Sequence, residues 1–315
     1  MKREKLNRVR VVVVGAYNAD LVVTCEGSIE AGKSLRGAPM QIFGGGRGAN
    51  CAVAAARAGC TIAFVGARGR DGFGGMAQGQ LAHESVNLDY FFELPTVNTG
   101  TSLSLIEACT GKHFLVCAES ANDHLTPQMI HTAKDLITSA DLVISELEIP
   151  SDTVFTVMKL CEQASIPFVL DISPPNRINQ LPDNNIFLGV SESLEEAMRI
   201  TSCSTISDTI TKLHQLGCQN VVLIQENRQV FHSDGDRIET VLVPIQQVVD
   251  RCGATECLET WMAILLLQGL PLAEACERAV MAMAHTLSRR GGHQSMPRPS
   301  DIQEVGISGC DQQRA

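Results

Sequence analysis

The sequence predicts an α/β protein with a mostly parallel central sheet covered by helices on both faces, plus a small second group of strands. Three observations carry this. Beyond residue 140, short apolar β-branched runs alternate with helix patterns, the rhythm of a parallel sheet. The chain has 315 residues with 44% hydrophobic and 19% charged, a globular composition. Residues 21–43 and the hairpin pattern within 100–119 hold short strand-like stretches that fit a separate small sheet.

In order, Arg10–Gly15 reads as a buried strand and residues 21–43 as short exposed strands. Ala49–Gly59 reads as an Ala-rich helix stopped by Gly59. Thr61–Gly66 is a strand and Gly72–Glu84 a helix, with Asp71-Gly72 as turn residues. Ser102–Ile106 and His113–Cys117 flank Thr110-Gly111, a β-hairpin pattern. Asp141–Ser145, Phe168–Asp171, Ile186–Val190 and Val221–Gln225 read as strands. Thr126–Ser139, Ser151–Ser165, Ser193–Ile200 and Ser204–Leu216 read as helices, with Asp123 in a turn before the first. Three further helices, Glu256–Leu267, Pro271–Arg289 and Asp301–Val305, close the chain, and Trp261 belongs to the core.

Several classes are excluded on composition. A net charge of −10 without a Lys/Arg stripe argues against nucleic acid and anionic membrane as partners. The apolar run Val11–Val14 is too short for a signal segment and no stretch is long enough to span a bilayer, so a cytoplasmic location is expected. The twelve cysteines contain no CxxC pair, so they are expected to be reduced core thiols rather than a zinc site. His113, His232 and His293 show no pairing and are expected at the solvated surface. Pro174-Pro175-Asn176 follows a strand and reads as a loop at the sheet's C-terminal edge, where such sheets bind ligands.

Gly44-Gly45-Gly46-Arg47-Gly48-Ala49-Asn50 opens a helix directly, letting backbone N–H groups approach a ligand. It is neither a Walker loop nor a dinucleotide fingerprint, and by itself it is equally a tight turn into a helix. Its context is more specific. GGRGANCAVAAARAG (45–59) resembles the first signature of the ribokinase family of phosphofructokinase-B-type carbohydrate kinases. VVVGAYNAD (12–20) resembles that family's first strand and sugar-contacting Asn-x-Asp turn. ELEIP (146–150) resembles the strand end presenting its sugar-side Glu, and RRGGHQSMP (289–297) its C-terminal loop.

The resemblance, spanning about residues 10–305, implies a ribokinase-like three-layer fold in a single domain over 1–315. Residues 18–44 and 99–118 would form a β lid that includes Lys112–Phe114. It implies a furanose held by Asn18, Asp20, Gly45, Gly46, Asn50 and Glu148, groups suited to reading hydroxyls. It also implies ATP and Mg²⁺ as companions, K⁺ held near Asp250 with Arg251 in competition, and a homodimer formed through the lid.

The phosphate half departs from the family pattern. Asp-Thr-x-Gly-Ala-Gly-Asp is replaced by Asp250-Arg251-Cys252-Gly253-Ala254-Thr255-Glu256. Gly253, Ala254 and Thr255 would form the anion hole and Glu256 the general base, one methylene longer than the usual Asp. Arg47 stands for the usual Lys. The Asn-x-x-Glu motif falls on Ser191 and Leu194, with Glu192 and Glu195 nearby. A Thr-x-Gly-x-x-Gly loop becomes Ile224-Gln225-Glu226-Asn227-Arg228-Gln229, and an adenine-side His aligns with Val280. Three functions remain open on these residues: an ATP-dependent kinase of ribose or a similar pentose, a catalytically inactive sugar-binding or regulatory protein, and a nucleoside kinase of the same superfamily.

Overall fold

The computed structural model of the chain describes residues 9–110, 112–173, 185–225 and 228–305. A nine-stranded sheet has the order β13-β12-β11-β10-β9-β8-β1-β4-β5. Its parallel part is made of β1 (Arg10–Val14), β4 (Thr61–Gly69), β5 (Asn87–Leu94), β8 (Leu142–Glu146), β9 (Phe168–Asp171), β10 (Ile186–Ser191) and β11 (Cys218–Ile224). Two antiparallel strands, β12 (Gln229–Ser233) and β13 (Ile238–Leu242), finish one edge.

Val11–Val14 explains the layering. Successive side chains of a strand point to opposite faces. Val11 and Val13 accordingly join one apolar cluster, while Val12 and Val14 join a second on the other face. The first cluster is roofed by α1 (Arg47–Ala58) and by two long helices, Ala254–Leu267 and Leu272–Leu287. The second is roofed by helices that include Ser151–Ala164 and Ile206–Gln215. Two cores on two faces make the expected three layers. Helix α1 ends where its sequence says it should: Gly59 takes a left-handed φ of 94° and its N–H closes on Ala55 and Ala56 carbonyls.

A second sheet of four strands has the order β3-β2-β6-β7, from β2 (Asn18–Cys25), β3 (Gln41–Gly45), β6 (Thr101–Glu107) and β7 (His113–Cys117). In register, Leu21 sits beside Ile42 and Leu103, and Leu103 beside Val116. Asp20, one residue away, faces the opposite side.

Some expectations need correction. The helix expected over 126–139 is two short helices, Pro127–Thr132 and Lys134–Thr138, parted at Ala133. Strands β5, β12 and β13 and the short helix Gly292–Ser295 were not expected. His232 and His293 are not at the solvated surface; they are 2% and 5% exposed. His232 lies in β12 between two strands, and His293 packs edge-on against Tyr17 at 6.1 Å. Burial lowers the pKa of both, that of His293 to about 4, so both are neutral. Nothing is described for the side chain of His113, and the loop Pro174-Pro175-Asn176 and residues Glu226 and Asn227 lie outside the described residues. The cysteines among the described residues are free, with Cys25, Cys51, Cys161, Cys218, Cys257 and Cys276 buried, and Trp261 is core. Among the described residues no helix is long and apolar enough to cross a membrane.

Candidate active site

The parallel strands all deliver their C-terminal ends to one crevice, and the sequence loads those ends with carboxylates. β8 ends at Glu146 and β9 at Asp171, with Glu192 just beyond β10. The glycine run brings α1 over the same crevice. Gly46 holds φ at 86°, and a Cβ there would lie 2.6 Å from Asn18 N and 2.7 Å from Ala16 O. Only glycine permits that backbone and that approach. A Cβ on Gly45 would collide with the Asp20 carboxylate, so the loop lies directly on that acid.

The six residues expected to grip a sugar converge. Asn18 Nδ2 donates to Glu148 Oε2 at 3.3 Å, and the Arg47 N–H donates to the same oxygen at 3.2 Å. Asp20 Oδ1 accepts from Ser102 Oγ at 2.6 Å. Asn50 is 6% exposed and its Oδ1 has no hydrogen-bond partner, an acceptor that a ligand hydroxyl would satisfy. A Cβ on Gly292 would sit 2.5 Å from this oxygen, so the C-terminal loop closes over it. Burial raises the Asp20 pKa to about 6 against the Ser102 hydrogen bond, with Glu148 and Asp250 adding repulsion.

Two residues outside the expected set hold this geometry. Asn122, which follows the hairpin, donates from Nδ2 to Tyr17 O at 3.0 Å and Asn18 Oδ1 at 2.9 Å, and its Oδ1 accepts from Tyr17 N at 3.2 Å. Every polar atom of its amide is used to fix the Asn18 amide with its nitrogen toward Glu148. Glu146, fully buried, accepts from Ala16 N at 2.7 Å and from Glu148 N. Burial beside Glu148 pushes its carboxyl well above the ordinary range. Asn122 gives no local signal, since its neighbours Ser120 and Asp123 form an ordinary capping box. An acid ending a buried apolar strand, as in Glu146 and Asp171, is a signal that could have found those two.

The phosphate side is built around Arg47. Its Nη1 lies 2.5 Å from Asp171 Oδ2 and 3.5 Å from Glu256 Oε1, its Nη2 pairs with Glu192, and its Nε is 3.8 Å from Glu148 Oε1. The Arg47 side chain is 12% exposed. Burial opposes its charge, and Asp171, Glu192, Glu256 and Glu148 outweigh that and hold it protonated. Glu256 is 5% exposed. Burial pushes its pKa up to about 8; Arg47 restrains the rise, while Glu192 and Asp171 add to it. Three residues further along the same helix, Glu259 is wholly buried, accepts from Cys51 Sγ at 2.9 Å and is held well above the ordinary range by burial and Asp171.

Gly253 caps the helix Ala254–Leu267 in a left-handed φ of 78°, with Thr255 buried behind it. The Ala254 N–H donates to Arg251 O at 3.2 Å, so this donor of the expected anion hole is engaged here. Asp250 accepts from Cys252 N at 3.0 Å and from Gly291 N at 2.9 Å, tying the helix entry to the C-terminal loop. Its hard oxygens suit a potassium ion, and Arg251 points its residue to solvent as an exposed side chain. Ser191 is buried and bonded to Ser193 O, and Leu194 is core. Val280 is 2% exposed. Among the described residues no group of three or more His, Cys, Asp or Glu is disposed to hold a metal alone.

Comparison with known proteins agrees with the geometry. A family model described as pfkB family carbohydrate kinase matches residues 9–299. Ribokinase of Bacillus subtilis (strain 168) is 30% identical over 298 residues, covering 94% of this chain and 98% of that protein. Ribokinase of Arabidopsis thaliana is 27% identical, covering 91% and 78%. Among solved structures, Arabidopsis thaliana ribokinase complexed with ribose and ATP superposes with a TM-score of 0.83 at 24% identity, covering 95% of this chain and 98% of that one. Ribokinase from Giardia lamblia gives 0.81 at 22% identity, covering 94% and 99%. With its strand-end carboxylates, glycine loop and matched length, this chain belongs to the pfkB family of carbohydrate kinases.

Proposed function

We propose that the protein is a ribokinase-like sugar kinase that transfers the γ-phosphoryl group of ATP to the hydroxymethyl oxygen of ribose or a similar pentose. The observation that carries this is the convergence of Asn18, Asp20 and Glu148 on one crevice that Arg47 joins to Glu256. Asn18, Asp20, Asn50 and Glu148 bind and orient the ring hydroxyls, and Gly45 and Gly46 give them room. Glu256 takes the hydroxymethyl proton as that oxygen attacks the γ-phosphorus and ADP leaves. Backbone N–H groups at Gly253, Ala254 and Thr255 face the charge that develops on the phosphoryl oxygens. For the anion hole to form, the Ala254 N–H exchanges its Arg251 carbonyl for phosphate.

Glu192, just beyond β10, and Glu196, in the helix Leu194–Thr201 that follows, would help hold Mg²⁺ brought by the nucleotide. Glu196 Oε2 is buried without a hydrogen-bond partner, and burial with the neighbouring Glu192 raises its pKa against the pull of Arg47 and Arg199. When bound, the metal would offset charge on the phosphates. Asp250 would hold potassium. The four-stranded sheet serves as a lid, with Asp20 on its inner face. Its outer row of Ile42, Leu103 and Val116 is 41%, 45% and 66% exposed, an apolar patch of the kind that pairs copies. We therefore propose a homodimer paired through this row, in the cytoplasm.

The test is coupled ADP release over a panel of pentoses, hexoses and nucleosides, alongside calorimetry with ribose and with an ATP analogue separately. Turnover with ribose or a near stereoisomer is expected. Sugar heat without nucleotide heat or ADP release would instead identify a binding protein.

A further inference from the structure

Two departures from the family pattern, Arg47 for Lys and Glu256 for Asp, meet in space. We infer that they form one coupled device, in which Arg47 is the positioning residue that aims the longer Glu256 carboxylate at the reacting oxygen. The inference rests on the reading of Glu256 as the base.

Three nitrogens of the guanidinium serve four different carboxylates. Nε faces Glu148 and Nη2 faces Glu192, while Nη1 is shared by Asp171 and Glu256. A rigid planar fork can hold these directions at once, whereas the single nitrogen of a lysine cannot. Asp171 is 0% exposed and ends β9, so it fixes Nη1 against the sheet. Nη1 in turn offers Glu256 Oε1 a stationary partner on its free side. Without that partner a Glu side chain has one more rotatable bond than Asp and more ways to miss the hydroxyl. The partner therefore compensates for the added methylene. Glu256 is also pressed by Glu192 and Asp171 and sits one turn before buried Glu259, so taking the Arg47 guanidinium away would leave its carboxylate facing that repulsion unopposed.

A consequence separates this from a merely structural ion pair. Restoring one family residue alone should harm the enzyme, and restoring both should repair it. Arg47→Lys leaves the longer carboxylate unaimed. Glu256→Asp withdraws the carboxylate from a guanidinium already 3.5 Å away.

The experiment is a double-mutant cycle on the whole chain, with kcat and sugar KM measured for Arg47→Lys, Glu256→Asp and the pair together. Each single variant is expected to lose about tenfold or more in kcat. Sugar KM should move by less than about threefold, because the Arg47 backbone N–H to Glu148 survives the change. The double variant is expected to turn over faster than either single one. A double variant whose loss equals the product of the two single losses overturns the inference, as does a gain in kcat for Glu256→Asp alone. If steady-state turnover of a single variant falls below detection, single-turnover transfer rates of the same four proteins supply the cycle, and additivity there has the same meaning. Glu256→Gln is measured beside them: full activity in that variant removes the base reading itself, a failure distinct from additive behaviour with Glu256→Gln inactive.

Discussion

The sugar side and the phosphate side of this crevice are built on different principles. On the sugar side, short polar groups are fixed by neutral or singly charged hydrogen bonds: Asn122 orients Asn18, Ser102 orients Asp20, and Glu146 holds the backbone of Glu148. On the phosphate side one guanidinium balances four carboxylates. The first arrangement is rigid before any ligand arrives. The second is an electrostatic compromise that ligand charge will disturb, because triphosphate must enter beside a surplus of negative groups. On the proposed reading, preorganised hydrogen bonds set which sugar fits and the charge cluster sets when transfer occurs.

That contrast breaks most visibly at Glu256. Glu256→Gln keeps size and removes the base, and should lower kcat by about 10²- to 10⁴-fold with little change in sugar KM, measured by coupled ADP release. Equal loss in kcat and in sugar binding would erase the division between the two sides.

On the sugar side, Asp20→Asn removes a buried acceptor and should weaken sugar binding by about ten- to a hundredfold, read by calorimetry. Nucleotide binding should be unchanged.

The two sides should also titrate apart. Asp20 accepts hydrogen bonds from hydroxyls most strongly when ionised, so sugar affinity should fall as pH drops through about 6. Glu256 works only when ionised, so kcat should rise as pH approaches about 8. Initial rates from pH 5 to 9 would show both limbs. Stability runs the other way for Glu256. Its folded pKa of about 8 exceeds the ordinary 4.5, so the native state holds its proton longer than the unfolded chain. That contribution is complete below about pH 4.5 and is lost as pH rises through 8. The melting temperature should therefore be lower at pH 9 than at pH 6, by about 3 °C or more.

The smallest expected effect lies at the lid. Val116→Glu places a charge on the exposed apolar row and should shift a dimer toward monomer in sedimentation, leaving kcat within about twofold.

Much of the sugar side was legible because its residues lie in contiguous motifs, where Asn18 and Asp20, or Gly45 to Asn50, come together within a few positions. Strand alternation at Val11–Val14 likewise gave the layers directly. The Arg47 network was not legible: Asp171 and Glu192 are 124 and 145 residues away, and no local pattern couples them. β5 escaped notice because Asp89 and Glu93 interrupt its apolar run, which an edge strand tolerates. His232 and His293 looked like surface residues because nothing in their neighbourhoods announces burial. Leu194, which falls where the family motif has a Glu, lies in the core.

The central claim is that phosphate passes from ATP to the sugar held by Asn18, Asp20 and Glu148. Phosphorus NMR of the products from ATP and ribose tests it most directly. A new phosphomonoester on the hydroxymethyl carbon, formed in step with ADP and absent with Glu256→Gln, is the predicted result. Inorganic phosphate alone, or unchanged ATP beside demonstrably bound ribose, would contradict it.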